Sequence, residues 1–303
     1  MIRIISCCCI VITHLLQYYD IFLAHWMNSA VCTFFLLSGI LMSNSKITNT
    51  KNWMVKRFSK ILTPYYFVII PAIIIFLFYF DITIKEIFAL IINMSALLPV
   101  PSGFRHLWFL TGIGLAYLIT PFFIKNKTII YFIFIISFLG ILYFFRIFNF
   151  ELVVGLSCYL IGLFFSKNIL SSRRNVFFSV LFLFFIFIIT NLYFQNYSLF
   201  STFRYPFLGL TGFYLIYHSK STEKYVKRIG KRQKKIILWL SELTYPIYLV
   251  HGFFALGPLS VLGRTDCLFL NLFIFISIIV IISQLIYQVT NNVAFKKLNK
   301  KNV

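Results

Sequence analysis

The sequence predicts an all-α fold: a polytopic membrane helical bundle of about ten transmembrane helices, with the N and C termini in the cytoplasm. Three observations predict it. First, 60% of the 303 residues are hydrophobic and 12% are charged, with a mean hydropathy of +0.91. No soluble core of this length buries that much apolar surface, and the 39 phenylalanines have a natural home against membrane lipid. Second, the apolar runs are continuous rather than alternating, which selects helices over a transmembrane barrel, the other fold that satisfies its backbone in hydrocarbon. Third, the net charge of +21 is sorted along the chain. All of the 28 Lys and Arg except Lys85, Arg105, Arg146, Arg204 and Arg264 fall on loops or ends of one side. This is the positive-inside pattern, and it accounts for the basic balance without nucleic acid.

Taken in order, the apolar stretches lie at about 4–20, 28–42, 61–80, 105–124, 128–146, 150–166, 175–194, 203–219, 236–256 and 267–290. The first is expected as a retained span, since too little apolar sequence precedes Cys7, Cys8 and Cys9 for a cleaved signal peptide. The cysteines sit in or beside apolar spans and show no metal-ligand spacing. In the second span, Ser38 and Gly39 offer room for a close neighbour. A polar, basic loop is expected from Ser43 to Lys60, followed by a third span interrupted by Pro64 and Pro71. Ile87 to Leu98 is too short to cross and reads as an interfacial or re-entrant helix. Spans five to eight read as lipid contact, with His218 a solvated end residue. Span nine carries Glu242, Pro246, Tyr248 and His251 inside its apolar run. No duplicated halves are evident, so residues 1–303 are expected as one membrane domain without a fused soluble domain.

The first segment carries Arg3 and His14, eleven residues apart. At 100° per residue they share one helix face, about 16 Å apart along the axis. An ionisable group inside a span is expensive and usually functional. Two readings of His14 stand on the residues alone: a helix–helix hydrogen bond, or a catalytic base, since an imidazole titrates near neutrality.

Several stretches resemble the acyltransferase family 3 proteins, bacterial membrane enzymes that O-acylate cell-surface glycans. Arg3 and His14 resemble that family's R-x10-H signature; TFFLLSGIL at Thr33–Leu41 is similar to its FFVLSGFL element. KRFSKILTPYY at Lys56–Tyr66 resembles its basic loop leading into helix three. HLWFL at His106–Leu110, followed by Tyr117 and Pro121, and LSELTYPIYLVH at Leu240–His251 complete the ordered set. The chain departs from the family pattern in three ways. Arg3 stands almost at its start, Asn291, Asn292 and Val293 replace a Glu-Pro in the last span, and no esterase-like domain is expected after it.

The resemblance implies an O-acyltransferase of the bacterial cytoplasmic membrane. The donor would be acetyl-CoA or another acyl-CoA, with no permanently bound cofactor or metal, and the acceptor a surface glycan or lipid-linked sugar. His14 is the expected base and Arg3 its companion at the inner face. Lys56, Arg57 and Lys60 are candidates for the donor phosphates, which call for cations at a water-facing mouth, or are topology signals only. His106, Trp108, Tyr248 and His251 are candidates for the acceptor, which would approach from outside past His25 and Arg105. Direct transfer and relay through an acyl-histidine both remain open. The competing class is a transporter or flippase of lipid-linked glycan, for which internal repeats and paired broken helices would be expected.

Overall fold

The computed structural model describes residues 1–125, 128–171, 198–219 and 228–299. The predicted span at about 175–194 lies outside them, as do Lys127, Arg173, Arg174, residues 220–227 and residues 300–303. The described residues form helices and no strand. They are α1 (Ile2–Tyr18), α2 (Ala24–Met27), α3 (Ala30–Ser43), α4 (Thr50–Tyr79), α5 (Ile84–Ile91), a 3-10 turn (Ser102–Leu107), α6 (Trp108–Lys125), α7 (Ile129–Phe144), α8 (Phe150–Leu170), α9 (Ser198–His218), α10 (Lys231–Ala255) and α11 (Leu268–Asn299). Six stretches among them are long and apolar enough to cross a membrane: Ala24–Ser43, Thr50–Tyr79, Ser102–Ile124, Phe150–Leu170, Lys231–Ala255 and Leu268–Asn291. α1 and α7 are shorter apolar helices. Phe78, Ile84, Phe144 and Phe269 are among many large apolar side chains left exposed, a surface that only lipid covers without cost.

The chain forms two compact units. The first comprises Met1–Thr48 and Leu115–Ile237. Its centre is α3, most of whose residues are buried and which packs against α8, α9 and α1. Glycines let the backbones meet. A Cβ on Gly39 would strike the Tyr159 carbonyl, and one on Gly162 would strike the Leu36 carbonyl. The Phe35 ring covers Gly155 in the same way. Association of helices in lipid rests on such close approach, because apolar side chains gain little from leaving lipid for protein. Leu36, Ile40 and Phe213 form the buried core beside it, and the Thr33 hydroxyl donates to the Gly209 carbonyl at 3.0 Å. The expected close neighbour of Gly39 is therefore α8.

The second unit comprises Asn49–Gly114 and Leu238–Val303. The expected basic loop ends earlier than the sequence indicates, because α4 starts at Thr50, with the Asn49 side chain accepting from the Asn52 amide at 2.9 Å. At 30 residues α4 is about 45 Å long, more than the hydrocarbon thickness, so its basic first turns extend the helix beyond the apolar run. Nor do Pro64 and Pro71 break it; both sit inside one continuous helix. The Tyr245 hydroxyl donates to the Ile61 carbonyl at 2.8 Å, one residue beyond the Lys60 carbonyl whose helical amide donor Pro64 removes.

α5 has eight residues, about 12 Å, and cannot span. A capping box of Thr83 and Glu86 starts it, with the Thr83 amide donating to the Glu86 carboxylate at 2.8 Å. The Tyr65 and Tyr66 hydroxyls on α4 donate to the Leu90 and Ile91 carbonyls at its end. Because α4 ends at Tyr79 and α5 is tied to Tyr65 and Tyr66, α5 folds back along α4. α10 and α11 are joined by polar bonds: Trp239 Nε1 donates to Gln284 Oε1 at 3.0 Å, and the Tyr287 hydroxyl donates to Glu242. Glu242 is thus a paired carboxylate between helices.

Candidate active site

Arg3 and His14 belong to the first unit, and the other seven predicted site residues to the second. On α1, the residues between the pair that turn inward are Ser6, Cys7, Ile10 and Thr13. Arg3 is exposed in the first turn, and His14 is half-buried four residues before the helix ends. The common face expected for them is thus the buried one, flanked by polar groups at both ends. His14 Nδ1 lies 2.7 Å from Gln17 Oε1. The side-chain carbonyl oxygen of Gln17 accepts this bond from Nδ1–H. Gln17 is the residue that sequence reasoning missed. An amide three residues from a histidine on a helix is a readable signal, since i and i+3 side chains are neighbours. His25 is exposed on the short α2, its ring 5.8 Å from Phe22.

In the second unit, Lys56, Arg57 and Lys60 project over an arc of about 100° of α4. Lys56 and Lys60 are exposed, and Arg57 is half-buried with its guanidinium 5.6 Å from the Trp53 ring centre. The indole face holds that cation in place by attraction to the ring quadrupole. Trp108 opens α6 and is half-buried, while Arg105 before it is exposed.

The structure brings together three predicted residues separated by some 140 positions. His106, Tyr248 and His251 are buried, His251 completely. The His106 and His251 rings are 5.1 Å apart, and Tyr248 is 5.9 Å and 5.5 Å from them respectively. His106 Nε2–H donates to the Leu249 carbonyl at 3.1 Å, the Tyr248 hydroxyl donates to the His106 carbonyl, and His251 Nδ1–H donates to the Tyr248 carbonyl at 2.7 Å. Buried polar groups need such partners; the first two bonds clamp the 3-10 turn onto α10, and the third lies within α10. The clamp depends on Gly252, over which the His106 ring lies so closely that a Cβ would enter it. Gly252→Ala is expected to cost about 1–3 kcal/mol of stability by displacing that ring, read as a lowered Tm in detergent micelles. His218 departs from its expected role as a solvated end residue, because its Nε2–H donates to the Ile169 carbonyl at the end of α8 at 2.8 Å.

A family model described as an acyltransferase domain matches residues 1–288 of the 303. The chain belongs to the acyltransferase 3 family. No curated protein and no solved structure matches it. This membrane acyltransferase keeps all nine predicted site residues, from Arg3 to His251, inside the matched region.

Proposed function

We propose that this membrane acyltransferase moves an acyl group, in the first instance acetyl, from acyl-CoA to a hydroxyl of a surface or exported glycan at the bacterial cytoplasmic membrane. The observation that carries the reading is the α1 face, on which Arg3 stands in the first turn and the half-buried His14 imidazole in the last, with its Nδ1 2.7 Å from Gln17 Oε1. In the direct mechanism, Nε2 takes the proton of the acceptor hydroxyl as its oxygen bonds to the thioester carbonyl carbon. The tetrahedral intermediate collapses with cleavage of the C–S bond. The CoA thiolate leaves and receives the proton from the imidazolium, so that ester and free thiol are the products.

Lys56, Arg57 and Lys60 on α4 supply cations for the donor's phosphates, Arg57 with a planar fork already held over Trp53. His106, Trp108, Tyr248 and His251 serve the acceptor side, the buried clamp fixing the turn that carries Arg105 and Trp108. Arg57→Glu is expected to raise the donor KM about tenfold or more, because a hydrogen bond to a charged group contributes roughly 1.5–3 kcal/mol. An unchanged donor KM would leave the basic turns of α4 as a topology signal.

The cellular test compares the O-acyl ester content of isolated surface glycan from cells carrying the wild-type chain or His14→Ala, both confirmed in the membrane. Loss of ester with the glycan intact is the expected result. Loss of the glycan itself would favour transport or flipping of a lipid-linked precursor.

A further inference from the structure

We propose that Asn93 binds the pantetheine arm of the donor, its carboxamide pairing with one of the amide groups of that arm. The inference rests on the reading of acyl-CoA as the donor. Asn93 follows the end of α5 and holds a left-handed backbone, with φ at 57°. Its amide donates to the Leu90 carbonyl at 3.1 Å and the Met94 amide to the Ala89 carbonyl at 2.8 Å, the pair of bonds that closes a helix in this way. The Thr111 hydroxyl on α6 donates to the Asn93 carbonyl at 2.8 Å. All of this is main-chain work, for which glycine would serve with no side chain to bury. Asparagine adds a carboxamide to a residue only 9% exposed, and its Oδ1 accepts no hydrogen bond among the described residues. A buried carbonyl oxygen without a donor is costly, and native proteins keep few of them. A ligand that brings an N–H removes the cost.

The surroundings select the ligand. A Cβ on Gly114 of α6 would lie 3.9 Å from Asn93 Nδ2 and 3.8 Å from the Phe58 ring, both ordinary contact distances. Packing therefore does not demand the glycine, and its missing side chain leaves room beside the carboxamide. Phe58 is half-buried and follows Arg57 on α4, in the basic turns proposed for the donor's phosphates. The part of CoA that leads away from its phosphates is the pantetheine arm, short methylene links joined by secondary amides. Each amide offers both an N–H and a carbonyl, so it complements the carboxamide whichever way the latter is turned.

Asn93→Gly separates ligand from fold, because it keeps the backbone form and deletes the carboxamide. CoA, and the adenosine bisphosphate moiety of CoA without the arm, are titrated by calorimetry into purified protein in lipid nanodiscs. The variant is expected to weaken CoA binding about three- to tenfold, the contribution of one hydrogen bond, and to leave binding of the armless moiety unchanged. Arg57→Glu, which acts on the phosphates, is the contrast that weakens both. The Tm of Asn93→Gly without ligand should not fall, since an unmet buried polar group has been removed. An unchanged Kd for CoA, equal weakening of both ligands, or a lowered Tm overturns the inference, and the donor reading then stands on the wild type's own binding of CoA. A wild type that does not bind CoA overturns both.

Discussion

Replacing His14 with alanine is expected to lower the rate of acyl transfer about 10²–10⁴-fold, the range over which a positioned general base contributes, with the donor KM unchanged. The size of the effect follows from the chemistry. A glycan hydroxyl is a weak nucleophile and a hydroxyl proton does not leave unaided at neutral pH. Alanine has no lone pair to take it. The side chain is half-buried, and its bond to Gln17 runs within one helix. A fall in rate without a fall in membrane insertion or Tm therefore reports chemistry. The check is the initial rate of CoA thiol release by purified protein. A rate within about threefold of wild type would remove His14 from the mechanism, since even the low end of the base contribution is about 10².

The largest structural effect is expected at the α3–α8 contact. Gly39→Leu and Gly162→Leu each drive a side chain into the opposing backbone, at the Tyr159 and Leu36 carbonyls respectively. Overpacking of a flexible core costs about 1–3 kcal/mol, but here the obstructing atoms are main chain and cannot rotate aside. The helices must separate, and the core of Leu36, Ile40 and Phe213 opens with them. Either variant is expected to lose most of its folded protein, measured as the monodisperse fraction in size-exclusion chromatography after detergent extraction. Gly140→Leu is the control, because nothing among the described residues lies within 4 Å of a Cβ there. A well-folded Gly39→Leu protein would contradict the packing described for α3.

Much of this arrangement was legible in the residues. Apolar runs located the helices, and the small residue Gly39 announced a close neighbour, because a glycine weakens a helix and is favoured inside a span where a second backbone packs against it. The short α5 was legible as a length, too short to cross. The start of α4 was not, since hydropathy marks where a helix leaves lipid and is blind to a polar helix continuing into water. The cap at Asn49 was the local signal available for it. Pro64 and Pro71 misled for a related reason: both sit inside a continuous helix, and whether a proline breaks a span depends on the packing around it, which sequence does not locate. The same holds for His218, whose partner Ile169 comes from another helix. The α1 face followed from helical periodicity alone, whereas the convergence of His106 with Tyr248 and His251 came from folding across a long stretch of chain.

The central claim is that one chain transfers an acyl group from CoA to a hydroxyl. Its most direct measurement is the stoichiometry of products from purified protein in lipid nanodiscs, supplied with acetyl-CoA and an O-deacetylated polysaccharide. Equal amounts of free thiol and new O-acetyl ester, both lost in His14→Ala, are the expected result. Acetyl-CoA left intact by the wild-type protein in the presence of that acceptor would contradict it.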